Sequence, residues 1–287
     1  MQDETCVLAS CTCPFRMKRR GNRKLRVFEN IKKLHQFARY RLSGGRVVFH
    51  HVPKCGGTSV HRALRLRYAL SYEYVDLLAV KDAIAMGGLG HEADELLYQS
   101  HILRELALLY HLNRGVHCIV GHVPFSSAAF NNFKDKYSFI TVLREPVSFF
   151  ESFYYYNLDS DVAEWRIDSS LEDFIESTRA AQIGRFYSDF FCGLTRHPDV
   201  PLHDSIRLAK ENLRQITVVG ITEDMKLFQR RLEDALGVRL RIGHENRSRV
   251  ASAKRQFLSN PVIRKKIEAI SRPNIEIYEF ARSKLAG

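Results

Sequence analysis

Residues 46–52, Arg-Val-Val-Phe-His-His-Val, make a short apolar run with β-branched members, bounded by a Gly pair before it and Pro53 after it. Such a run reads as a buried strand. From Thr58 the spacing changes, because Val60, Leu64, Arg67 and Tyr68 recur at i, i+4, i+7 and i+8, the period of a helix. Between the two lies Pro53-Lys54-Cys55-Gly56-Gly57-Thr58-Ser59. A loop running from a strand into a helix N-terminus exposes unpaired backbone N–H groups at the positive end of the helix dipole, and glycine lets an anion come close. Lys54 adds a charge, and Thr58 and Ser59 add hydroxyl donors. The segment therefore predicts a cradle for phosphate or sulfate.

The remaining pattern places that unit in an α/β chain. Apolar runs at 116–120, 139–143 and 216–221 are each short, nearly continuous and followed by a helical pattern, as parallel strands covered on both faces should be. A helix is expected over 28–40, and the stretch 72–115 reads as mostly helical, with Leu96, Leu97, Leu103, Leu106 and Leu109 on or near one stripe. Gly87-Gly88-Leu89-Gly90 reads as a plain loop, since no strand runs into it. Thr222 is the expected N-cap of a helix ending at Gly237, and Asn260-Pro261 opens another that Pro273 should end or kink. With 287 residues, 45% hydrophobic content, 18 Phe and 12 Tyr, one large domain is expected over 46–287, preceded by a basic lead-in over 1–45.

Charge and cysteine content narrow the partners without choosing one. The formal charge is +12, and residues 1–45 hold 11 Lys/Arg against 3 Asp/Glu, leaving 33 against 29 elsewhere. Such a balance favours anionic partners. Clustered Lys/Arg over 16–26 without interleaved aromatics is weak support for nucleic acid, which is not the expected partner. Six cysteines are too few for a disulfide scaffold, and Cys11-Thr12-Cys13 lacks zinc-knuckle spacing, so free thiols and no metal are expected. Neither a membrane span nor a signal peptide is read in the sequence. The expectation is a cytoplasmic protein, the alternative being a secretory-lumen domain cut from an anchored parent.

Two further segments follow core strands. One is Gly121-His122-Val123-Pro124-Phe125. The other runs from Phe139 through Arg144-Glu145-Pro146-Val147 to Ser152 and the pair Tyr154-Tyr155, with Arg at a strand end and Ser eight residues on. Arg144 and Ser152 could converge on one phosphate through a charge-assisted fork and a hydroxyl. A standard nucleoside-triphosphate loop has Lys after its last Gly, whereas here Lys54 precedes the glycines.

That displacement, and the order of the three segments, resembles the sulfotransferases that use 3′-phosphoadenosine 5′-phosphosulfate (PAPS), in their carbohydrate 2-O-type branch. The resemblance implies a three-layer sandwich like that of P-loop nucleoside triphosphatases, a central parallel sheet flanked by helices. It implies that Lys54, Cys55, Gly56, Gly57, Thr58 and Ser59 hold the 5′-phosphosulfate, that Arg144 and Ser152 hold the 3′-phosphate, and that His122 is the catalytic base. The family usually has Thr or a small residue where Cys55 stands. Lys54 would balance charge on the leaving group. The acceptor would be a hydroxyl of a glycan or another molecule, anionic acceptors included. Arg247 is a weaker cofactor candidate, and His50, His51 and His61 read as packing residues around the first loop. Cys55, beside phosphate-binding amides, is expected to have a lowered pKa. The alternatives are a kinase or triphosphatase using ATP and Mg²⁺, and a basic nucleic-acid-binding protein.

Overall fold

The computed structural model describes residues 32–33, 43–89, 93–158, 160, 162, 165–193, 200–243 and 260–286. All but 32–33 belong to one unit, Arg41–Gly287. The helix expected over 28–40, and Arg247 with its neighbours, lie outside the described residues.

Five described strands form one sheet: β1 (Arg46–His50), β2 (Tyr72–Val75), β3 (Cys118–Gly121), β4 (Tyr137–Leu143) and β5 (Val218–Ile221). Their order is β2-β3-β1-β4-β5 and every pairing is parallel. Helix α1 (Gly57–Arg67) follows β1, α2 (Leu77–Met86) and α3 (Ala93–Asn113) follow β2, α4 (Ser127–Phe133) follows β3, and α5 (Pro146–Leu158) follows β4. Short helices α6 (Leu171–Ile175), α7 (Thr178–Gly184) and α8 (Phe186–Phe191) lead to α9 (Leu202–Gln215) and β5. The chain continues through α10 (Met225–Leu236), α11 (Pro261–Ile270) and α12 (Arg272–Ala286).

Strand residues alternate between two cores, as side chains two apart share a face. Val47 and Phe49 of β1 pack with Val60 and Leu64 of α1 and Phe228 and Leu232 of α10. Val48 points the other way, into a larger core with Leu108 of α3, Phe149 and Phe150 of α5, Tyr187 of α8 and Leu213 of α9. The protein is thus α/β, with an all-parallel sheet covered by helices on both faces. Residues 43–45 are part of this unit, since Gly45 N–H donates to Leu236 O at 2.7 Å and Arg67 donates to Ser43 O at 2.7 Å.

Two local expectations need correction, and one helix is rotated in a way its spacing does not show. The stretch 72–115 opens with a strand, β2, because Tyr-Glu-Tyr-Val alternates at the edge of the sheet and is too short to show a period against the helices around it. The rotation of α3 leaves Leu106 47% exposed and Leu109 half-buried against the larger core, while Arg104 and Glu105 are buried beside Leu108 and Leu112. Polar partners set that rotation, Arg104 donating to His122 O and Ser126 Oγ donating to Glu105 at 2.6 Å. Thr222 opens a single 3₁₀ turn instead of capping α10, and Asp224 is the cap, accepting from Leu227 N–H at 3.0 Å. Gly237 does end α10 in the left-handed conformation, and Asn260 caps α11 with Pro261 at its first position. That helix stops at Ile270, before Pro273.

Candidate active site

In an open parallel sheet, ligands bind outside the carboxyl ends of the strands where the order reverses direction. Here the chain leaves β1 for β2 and β3 on one side and returns to β4 and β5 on the other, so the crevice falls at the end of β1. His50 pairs with Gly121 on β3 and with Thr141 on β4. Pairing extends one step further, His51 N–H donating to Gly121 O at 2.9 Å. Consequently the three segments singled out in the sequence emerge side by side, His122 after β3, the Lys54 loop after β1 and Arg144 after β4.

The loop turns through two left-handed residues, Gly56 at φ 70° and Lys54 at φ 62°, the latter unusual for a side chain with a Cβ. Helix α1 then begins with neither a capping side chain nor an acidic residue in its first turn. Its N–H groups keep the polarity an anion needs. Gly57 serves a close approach, because a Cβ there would fall on Cδ2 and Nε2 of the His51 ring. Thr58 is exposed and Ser59 is buried. The Lys54 ammonium stands over the ring of Tyr156 on α5, 3.5 Å from its centroid.

Arg144 is tied to this loop, its Nη1 donating to Lys54 O at 3.2 Å. Its main chain is clamped by Tyr187, whose hydroxyl donates to Arg144 O at 2.7 Å and accepts from Arg144 N–H at 3.2 Å. The same hydroxyl lies 3.5 Å from Cys55 Sγ. Tyr187 is fully buried and no motif announced it, since its signal is a contact made 43 residues beyond Arg144. Ser152 sits in the second turn of α5, partly exposed, and among the described residues no hydrogen bond joins it to Arg144. Glu145 caps α5, its carboxylate accepting from Val147 N–H at 3.0 Å and Ser148 N–H at 2.8 Å.

The expectation for Cys55 is overturned. Its thiol is 0% exposed within the larger core, and burial pushes its pKa up to about 12. The helix dipole that should lower it is outweighed by desolvation, so Cys55 can meet an anion only through its main chain. Cys55, Cys118 and Cys192 are free thiols.

On the other side of the loop, His122 Nδ1 lies 2.7 Å from His51 O. A carbonyl only accepts, so Nδ1 carries the proton and Nε2 keeps a lone pair. Burial lowers the His122 pKa, the His51 carbonyl opposes that, and Arg104 and His61 add to the lowering. The ring is therefore neutral at pH 7. His51 stacks on Phe49 at 5.2 Å and reaches His122 at 4.4 Å between centroids, with its pKa pushed well down by burial and by the neighbouring histidines. His50 packs between Phe125 and Phe139 and binds Val123 O at 2.8 Å, as its packing role requires. His61 lies against Tyr72 and Tyr74 of β2.

A cavity of ≈ 780 Å³ opens beyond Arg144, lined in part by Glu145, Pro146, Ile221, Glu223, Arg272 and Tyr278. Its acidic lining sets it apart from the anion cradle. Among the described residues no group of three or more His, Cys, Asp or Glu is placed to hold a metal ion, and no helix is long and apolar enough to cross a membrane. No protein-family model matches the chain, and no curated protein matches it.

Proposed function

We propose that this chain is a PAPS-dependent sulfotransferase, built on a three-layer sandwich like that of P-loop nucleoside triphosphatases and acting on a carbohydrate hydroxyl. The observation that carries this reading is the convergence of the Lys54 loop, Arg144 and His122 at the ends of three adjacent parallel strands, with Nε2 of a neutral His122 left as acceptor. The uncapped start of α1 suits the phosphosulfate, and Arg144 suits the second phosphate. Ser152 would join Arg144 there, with the phosphate bridging two side chains that do not touch each other.

In the reaction the acceptor oxygen attacks sulfur as His122 Nε2 takes the hydroxyl proton, which is general base catalysis. An S–O bond forms to the acceptor, the S–O bond to the 5′-phosphate breaks, and its electron pair leaves with adenosine 3′,5′-bisphosphate. Lys54 offsets the charge that grows on that oxygen. To do so its ammonium turns away from the Tyr156 ring.

Calorimetry with adenosine 3′,5′-bisphosphate tests the reading. Binding without added metal is expected, lost in Arg144→Ala and kept in His122→Ala, which should bind but not transfer. Preference for ATP with Mg²⁺ over the bisphosphate would replace this reading with phosphoryl transfer.

A further inference from the structure

Arg104 lies on α3, in the stretch between β2 and β3, and only 5% of it is exposed. Its guanidinium makes two hydrogen bonds, Nε donating to Ser100 O one turn back at 3.0 Å and Nη1 donating to His122 O. Among the described residues it meets no carboxylate. Its neighbour Glu105 is also buried but is engaged by Ser126 Oγ at 2.6 Å. Burying a charge is costly unless hydrogen bonds offset it. Even so it stays protonated at pH 7, its pKa lowered only to about 10 by that burial.

A cost of that kind at the edge of a site marks a residue whose position is used. His122 is tied at two points, its carbonyl to Arg104 and its ring Nδ1 to the carbonyl of His51, whose own N–H is tied to Gly121 O. Releasing the first tie frees the peptide that carries the ring. The groups facing this imidazole are His51 after β1, His61 of α1, Asp76 capping α2 and Arg104 of α3. Of these Asp76 favours the imidazolium, and Arg104 and His61 oppose it, with burial the largest effect against it. Burial lowers the pKa of His61 and His51 as well, whereas Arg104 stays charged through neutral pH and is the fixed positive charge of the group.

We propose that Arg104 is a positioning residue for the base, holding the His122 main chain from behind so that Nε2 faces the acceptor hydroxyl as a bare lone pair. The role rests on the sulfotransferase reading, but its first test does not need turnover. In the full chain with ¹⁵N-labelled histidine, the His122 ring is assigned by the signals missing from His122→Gln. Wild type should show the Nδ1-protonated tautomer and titrate below an ordinary imidazole. Arg104→Met should raise the His122 midpoint and populate the second tautomer. Arg104→Lys keeps the charge without the fork, so it should hold the midpoint low while the tautomers mix. That second variant serves if the first fails to fold. A wild-type tautomer in every variant that folds would overturn the proposal, whatever reaction the protein catalyses.

If the protein transfers sulfuryl groups, Arg104→Met should lower kcat by roughly 10²-fold, the size of effect a small misplacement of a reacting group produces. The KM for PAPS should stay unchanged. A base works when neutral, so the acid limb of kcat/KM should move to higher pH as the cation is removed. Loss of kcat with that limb unmoved would mark a merely structural residue and also overturn the proposal.

Discussion

Lys54 carries a side chain through a left-handed turn at φ 62°, and the two ways of shortening it separate its backbone from its charge. For an L-residue this conformation costs about 1–2 kcal/mol. Glycine removes that cost but loses about 0.5–1 kcal/mol in extra chain entropy. Either substitution forfeits the contact with Tyr156, which is 54% exposed, a cation–π pair of about 0.5–1 kcal/mol at such a site. Lys54→Gly should therefore leave stability within about 1 kcal/mol of wild type. Lys54→Ala loses the same pair and keeps the strain, though without glycine's entropy cost, so it should fall below the glycine variant by about 0.5–1 kcal/mol. Urea unfolding at constant m reads the difference as a shift in midpoint. Transfer measured on the same samples should drop by about 10²–10³-fold in both, as when one charge-stabilising donor is removed. An alanine variant as stable as the glycine one would refute the strain, and a glycine variant with wild-type turnover would refute the role of Lys54 in the reaction.

Gly57→Ala would drive a methyl into the His51 ring, which is wedged against Phe49 and His122 and cannot yield freely. It should cost roughly 1–3 kcal/mol, as overpacking does, and thermal unfolding with no change would show that the close approach is slack. Cys55 should resist alkylation by iodoacetamide at pH 8 in the native protein and react once the chain is unfolded in urea, because its thiol is buried and raised to about 12. Of the described cysteines the partly exposed Cys192 should be labelled first, and rapid native labelling of Cys55 would contradict its burial.

What could be read from the residues was what local spacing encodes. The change of period at Thr58, the Gly pair, Asn260-Pro261 and Gly237 all act within one turn of chain, so their signals sit next to their effects. Short elements escaped: β2 is four residues at a sheet edge, and nothing in Tyr-Glu-Tyr-Val distinguishes it from the helical stretch around it. Burial of polar groups escaped as well. Arg104 and Glu105 look like solvated helix residues until His122 and Ser126 are found facing them.

The loop at Lys54 shows the division most clearly. Its sequence determined a strand, a glycine-containing loop and the start of a helix, because those depend on side chains a few residues apart. Only the tertiary structure decided that His51 fills the space above Gly57, that Tyr187 joins Cys55 to Arg144, and that Cys55 is an inert core thiol. Cys55 and Arg144 stand together because β1 and β4 pair in parallel, Tyr187 reaches them from α8, and desolvation there outweighs what the local dipole and charge imply.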